Sequence, residues 1–261
     1  MEVLSSSKNN ENQKHTYLPG RQRQVIDLLS FFQTSQLIGI FGEHGTGKSS
    51  FVKNGLIPEL HKGFLGKAGR NWKTSTIRPG ISPLENLACG IAELVGDKDK
   101  FKPEDEYLLT KSMRANNEAL KRVSLNHLKN ETGTNSLLII DNFEDLFHFK
   151  NVSHAPLEWE NTVTSFFQNI TKCVLNSDAP LYFLVILRSD FVTNVFKYRN
   201  FHEVISKSQY SLPQLRKTEF QEIVIWQTQK GKTSINKEAI DLLYLQYGRD
   251  LKNLKLLNLF L

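Results

Sequence analysis

Gly42-Glu43-His44-Gly45-Thr46-Gly47-Lys48-Ser49 fills every fixed position of the pattern G-x-x-x-x-G-K-[ST]. Each residue type has a chemical reason. Glycines let successive backbone N–H groups turn inward around phosphate oxygens, and a helix starting at the lysine adds the positive end of its dipole. Lys48 would reach the β- and γ-phosphates, and Ser49, followed by Ser50, would place its hydroxyl on magnesium. The chemistry implied is binding of a nucleoside triphosphate, with ATP and its product ADP as the expected ligands.

Two further points carry charge at the ends of apolar runs. Asp141 closes the run in LLIIDNFEDLF, where a carboxylate can hold magnesium through water. Its alternative role is a helix N-cap. Glu144 and Asp145 follow as candidates for polarising an attacking water, against the alternative of a solvated face. Asn142, directly after Asp141, is an amide and cannot act as a base, so any hydrolysis is expected to be slow. Arg188 closes the run LYFLVIL. Parallel sheets aim their strand C-termini at the ligand crevice, so this guanidinium could meet a γ-phosphate and separate triphosphate from diphosphate. The alternative partner is Asp190. Arg78, at another strand end, is equally balanced between such roles.

These residues need elements to position them. QLIGIF before the loop reads as a buried strand, and a helix is expected from Lys48 until Pro58 interferes. Strands are expected at 73–77, before Pro79-Gly80, at 137–140 and at 181–187. Between them lie helical patterns at 81–95, 98–130 and 158–175, with another at 21–32 that places Val25, Leu28, Leu29 and Phe32 on one face. Such alternation predicts a three-layer α/β/α architecture with a mainly parallel sheet. After Pro213 the pattern is helical throughout, at 218–229, at 236–247 and from 251. The expected organisation is a disordered leader over 1–16, an α/β core over 17–212 and a small, incomplete C-terminal helical subdomain over 213–261.

Composition narrows the partners. A net charge of +6 and a pI near 9.2 suit anionic partners: nucleotide, nucleic acid or acidic protein. Cys89 and Cys173 lack a CxxC partner and the histidines, His148 and His154 included, lack metal-ligand spacing. A disulfide framework or zinc site is therefore not expected, and a reducing cytoplasm fits. No apolar stretch long enough to span a bilayer and no secretory h-region is present. Asn236-Lys237-Glu238-Ala239 lacks the aspartate of a guanine-reading N-K-x-D, which argues against a GTPase.

Six segments in order, LPGRQRQVIDLL, GEHGTGKSSFVKNGLIPEL, TIRPGISPLENLA, LLIIDNFEDLF, LVILRSDF and SLPQL, resemble the STAND class of P-loop NTPases. These are signal-transduction ATPases related to AAA+ proteins, and the likeness is greatest to a bacterial branch fused to WD40 or TPR repeats. The resemblance covers residues 17–261. It implies that Gly20 and Arg21 lie by the adenine, that Lys48, Ser49 and Asp141 are the Walker ligands, and that Arg188 is the sensor arginine. It places Pro213 in the segment leading to the helical subdomain. Gln22 and Gln24 replace acidic residues of the pattern, and Lys255 stands where a nucleotide-contacting proline is usual, which implies a weaker or differently controlled ADP-locked closed state.

Function is then expected to be an ATP-dependent switch in bacterial signalling or defence. The rivals are a DNA-associated AAA+-like ATPase and a nucleotide-binding scaffold without turnover. Leu251, Leu254, Leu257 and Phe260 or Leu261 form an apolar stripe that must pack on the core, on a protein partner, or on a missing sensor or effector region. A truncated NTPase core is the corresponding expectation.

Overall fold

The apolar run ahead of the phosphate loop forms β1 (Leu37–Gly42), buried at every position. The computed structural model describes residues 18–63, 70–97, 101–129, 133–149, 155–175, 178, 180–230 and 234–247. The expected leader over 1–16, His154, Lys255 and the stripe from Leu251 lie outside the described residues.

Four more strands join β1: β2 (Asn71–Ile77), β3 (Thr134–Ile140), β4 (Leu181–Arg188) and β5 (Gln209–Ser211). The sheet order is β2-β3-β4-β1-β5 and every pairing is parallel. Both faces must then be covered, because parallel crossovers place helices on them. Leu37, Phe41, Leu138, Ile140, Phe183 and Val185 face one core cluster. Helices α4 (Pro83–Val95), α5 (Pro103–Ala115), α6 (Ala119–His127), α8 (Pro156–Leu175) and α10 (Arg199–Ile205) build that side. Ile38, Ile40, Leu137, Ile139, Leu184 and Ile186 face the second cluster, filled by α1 (Gln22–Phe31) and the helix that follows the phosphate loop. Val25, Leu28, Leu29 and Phe32 supply the α1 stripe, as their spacing predicts.

Pro58 does not end the helix after Lys48. Helix α2 (Lys48–Phe51) passes through a π-helical segment (Val52–Leu56) into α3 (Ile57–His61), with Pro58 in the first turn of α3. The widened turn accommodates a residue that has no N–H to donate and whose ring would crowd the preceding turn.

Three short elements escaped the periodicity: α9 (Val192–Val195), α10 and β5. β5 is three residues of mixed exposure, too short and polar for a strand signal. It nevertheless lies along β1, pairing Gly39 with Gln209 and Phe41 with Ser211, and Leu212 donates its N–H to Phe41 O at 2.7 Å. The chain therefore leaves the sheet immediately beside the phosphate loop. Leu212 still belongs to the second sheet-facing cluster, whereas Leu215 joins Phe220, Val224 and Ile240 in a separate one. That cluster holds α11 (Lys217–Lys230) and α12 (Lys237–Tyr247) together, with the Phe220 and Tyr244 rings 5.4 Å apart. Asn236 caps α12 by accepting the Ala239 N–H at 2.8 Å, so Asn236-Lys237 is a helix start.

Candidate nucleotide site

The order of the strands fixes where a ligand can sit. From β1 the chain crosses to β2 on one side, while β4 connects over β1 to β5 on the other. A crevice opens at the carboxyl end of β1 in such a reversal. Gly42, His44, Gly45 and Thr46 turn there, with φ of +80° at both Gly45 and Gly47. Side chains rarely adopt that conformation, which is why glycine occupies both positions. Buried Thr46 ties the turn by donating to Glu43 O at 3.0 Å. Helix α2 then starts at Lys48, and Ser50 is exposed on its first turn.

Lys48 Nζ lies across the loop, donating to Gly42 O and Glu43 O at 2.8 Å each. Phosphate oxygens can take over those donors without moving the lysine far. Burial lowers the ammonium's pKa, with Arg188 acting in the same sense, while Glu144, Asp141 and Asp190 oppose them. Five charges from three segments thus act on one another here.

Asp141 is buried at the end of β3, and its Oδ1 accepts the Ser49 hydroxyl at 2.9 Å. One hydroxyl and one carboxylate in contact are oxygen donors of the kind magnesium takes when phosphates and waters complete its shell, so the pair fits that ion. Among the described residues no three His, Cys, Asp or Glu side chains gather to bind a metal, and this type of site does not need them. Asn142 adopts φ +54°, a left-handed conformation that asparagine tolerates better than most residues, and its N–H binds Asp141 Oδ1 at 3.0 Å. That kink turns the chain so that Phe143 enters the core. Phe143 is fully buried among Phe147, Phe166, Phe167 and Phe201, with centroids between 5.4 and 6.4 Å.

Glu144, anchored by that ring, is 8% exposed and its Oε2 accepts the Arg188 N–H at 3.4 Å. Asp145 begins the short α7 (Asp145–His148) and diverges from Glu144. Burial pushes its carboxyl pKa up, and the Gly80 N–H and the Arg78 charge hold it back. It therefore turns to the end of β2, where exposed Arg78 lies.

Arg188 is the register partner of Gly42, so it stands directly beside the start of the loop. Its guanidinium forms a two-pronged bridge to Asp190, at 3.1 Å from Nε and 2.5 Å from Nη2. The alternative partner named from the sequence, Asp190, is thus engaged, at an arginine that stands beside the phosphate loop.

A seam joins the N-terminal residues to the helical pair. Gly20 (φ +72°) donates its N–H to Glu222 Oε2 at 3.0 Å, and a Cβ there would lie 2.6 Å from Glu219 O. Only glycine fits that approach. Glu219 is 5% exposed, accepts Gln24 Nε2 at 3.0 Å, and caps α11 by accepting the Arg216 N–H at 2.8 Å. Burial raises its pKa, but the Arg216 and Gln24 donors outweigh this and leave it lowered. Arg21 is 2% exposed, and neither terminal nitrogen of its guanidinium has a hydrogen-bond partner in the structure. Burial lowers its pKa despite the neighbouring Glu219 and Tyr210. Such an orphaned buried donor group is unusual and fits a ligand that supplies acceptors. A cavity of about 280 Å³ is lined by Arg23, Gln24, Asp27, Tyr210, Pro213, Gln214, Arg216 and Glu219; Arg21 does not line it but shares Tyr210 and Glu219 with it as neighbours. Gln214 also donates its side-chain amide to the Glu43 carboxylate, tying the segment after β5 to the phosphate loop. The pairings of Gln24 with Glu219, Gly20 with Glu222 and Gln214 with Glu43 left no local signal in the sequence, because the partners lie 195, 202 and 171 positions apart.

A parallel sheet of this order, with a phosphate loop after β1 and a carboxylate closing β3, defines a P-loop NTPase. The chain belongs to the novel STAND NTPase 1 family, whose model matches residues 8–261. No curated protein matches it in sequence. Solved structures share the fold. The ORC2 protein of Aeropyrum pernix, in ADPNP–ADP complexes, superposes with a TM-score of 0.57 at 16% identity, covering 84% of this chain and 54% of that one. The ORC1 protein of the same organism, in complex with DNA, gives 0.56 at 14% identity, covering 92% and 59%. A Walker-type ATPase of Pyrococcus abyssi gives 0.51 at 12% identity, covering 91% and 65%. The chain thus spans 54 to 65% of the length of these proteins. Among the described residues no helix is long and apolar enough to cross a membrane.

Proposed function

We propose that this nucleotide-binding protein is an ATP-dependent molecular switch that hydrolyses ATP slowly. The observation that carries the reading is the meeting of Lys48, Ser49, Asp141, Glu144 and Arg188 at the carboxyl ends of β1, β3 and β4, next to the seam that holds the helical pair. Gly42 to Lys48 cradle the phosphates, Ser49 and Asp141 hold magnesium, and Glu144 orients the attacking water. Arg188 contacts the γ-phosphate. The base and ribose lie by Gly20, Arg21 and Pro213; Pro213 lines the cavity, and Arg21 carries the orphaned guanidinium.

A ligand shifts a conformational equilibrium only by its differential affinity for the two states. The γ-phosphate is the one group that separates ATP from ADP, so discrimination must pass through residues that touch it. Arg188→Ala is therefore expected to lower the preference for ATP over ADP by about tenfold, the loss of one charge-assisted hydrogen bond. Calorimetric titration with both nucleotides checks this, and an unchanged preference would remove Arg188 from the mechanism. A role in bacterial cytoplasmic signalling or defence rests on the family resemblance.

The charge of +6 favours one second reading, a DNA-associated ATPase. Turnover stimulated by DNA at moderate salt would support it, and no DNA binding there would exclude it.

A further inference from the structure

Asp190 sits two residues beyond the proposed sensor arginine, on a single 3-10 turn (Ser189–Phe191) that begins where β4 ends. That tight turn brings its carboxylate back onto Arg188, where both oxygens are engaged, one by Nε and one by Nη2. The guanidinium is held from another side by the Phe191 ring, with Cζ 5.2 Å from the ring centroid. A carboxylate bound in this two-pronged way uses the same fork of donors that a phosphate uses. The arginine cannot offer that fork to both, although its Nη1 edge carries further N–H donors. Arg188 and Asp190 also both act on the Lys48 ammonium through space, which places the pair within electrostatic reach of the phosphate loop.

We infer that Asp190 is a specificity-determining residue that competes with the γ-phosphate for Arg188 and so sets how strongly the site prefers ATP to ADP. This rests on the assignment of Arg188 to the γ-phosphate. A γ-phosphate that takes the Nε–Nη2 fork displaces the carboxylate, whereas ADP leaves the bridge intact. The competition is weak, because solvent reaches both partners: the Arg188 and Asp190 side chains are 31% and 55% exposed. Screening of such a pair limits its effect to about two- to five-fold in affinity. A weak competitor suits a switch, since it trims affinity for the activating nucleotide without abolishing it.

The opposite role has the opposite sign. If Asp190 instead holds the guanidinium in position for phosphate, removing its charge would weaken ATP binding. The test is calorimetric titration of ATP and ADP, with magnesium, into wild type, Asp190→Asn, Arg188→Ala and the double variant. The inference expects Asp190→Asn to tighten ATP about two- to five-fold relative to ADP. In the Arg188→Ala background the same substitution should leave the ratio unchanged. Weaker ATP binding, an unchanged ratio in Asp190→Asn, or an equal gain in the Arg188→Ala background would each overturn it. The last outcome would mean that a carboxylate had merely been repelling phosphate. Should Arg188→Ala itself leave the ratio unchanged, the sensor assignment falls and this inference with it. An Arg188 effect without an Asp190 effect sinks the inference alone.

Discussion

Lys48→Ala is expected to weaken binding of ATP and ADP by about a hundredfold or more. The ammonium already bridges Gly42 O and Glu43 O at 2.8 Å each, so it is aimed across the loop where the phosphates must lie. Each hydrogen bond from a charged donor contributes about 1.5–3 kcal/mol, and two of them to phosphate oxygens give about 3–6 kcal/mol. At about 1.4 kcal/mol per tenfold, that is at least two orders of magnitude in dissociation constant. Alanine supplies neither charge nor donor. Lys48 is not part of either sheet-facing core, so the thermal unfolding midpoint should stay near that of the wild type. Calorimetry with each nucleotide, beside a melting curve, separates loss of the site from loss of the fold. Retained affinity in a folded variant would mean that the phosphates bind elsewhere.

The second large effect belongs to Glu144. Glu144→Gln is expected to leave nucleotide binding within a few-fold of wild type and to slow phosphate release by about 10²–10⁴-fold, the usual contribution of a positioned general base. The amide keeps a carbonyl oxygen that can still accept the Arg188 N–H, so the strand end stays in place. What it loses is the ability to take a proton from water. Single-turnover phosphate release is the measurement, since slow hydrolysis would be missed at steady state. Equal rates in the two proteins would move the base elsewhere, or favour a scaffold that binds without turnover.

The candidate phosphate loop is legible in the sequence for a chemical reason. A loop that must surround phosphates requires glycines at positive φ and a lysine at fixed spacing, and both are local demands written into adjacent residues. Asp141 and Arg188 were legible for a related reason, because each is a charge at the end of an unbroken apolar run. The remainder depends on distance or on subtle local geometry. Gln24 and Glu219 meet across 195 positions, and no periodicity links them. β5 has three residues and borrows its strand identity from hydrogen bonds to β1. Pro58 was expected to end a helix because proline opposes the regular α turn, and the π segment before it is what allows continuation. Asn142 was noticed as an amide that cannot act as a base. Its backbone role, a left-handed kink that aims Asp141 at Ser49 and sends Phe143 inward, has no one-dimensional signature.

The same seam offers the most direct test of a switch. Gly20 N–H is bound to Glu222 of α11, so this amide reports whether the N-terminal residues and α11 stay joined, while the Arg216 N–H, bound to Glu219 three residues on, reports only the local cap of α11 and serves as a control. Hydrogen exchange of the Gly20 amide, measured with saturating ATP and magnesium and again with saturating ADP, is the decisive measurement. The account predicts protection that differs by about tenfold or more between the two nucleotides, the mark of a shifted population. Identical protection in both, with both nucleotides bound, would contradict it.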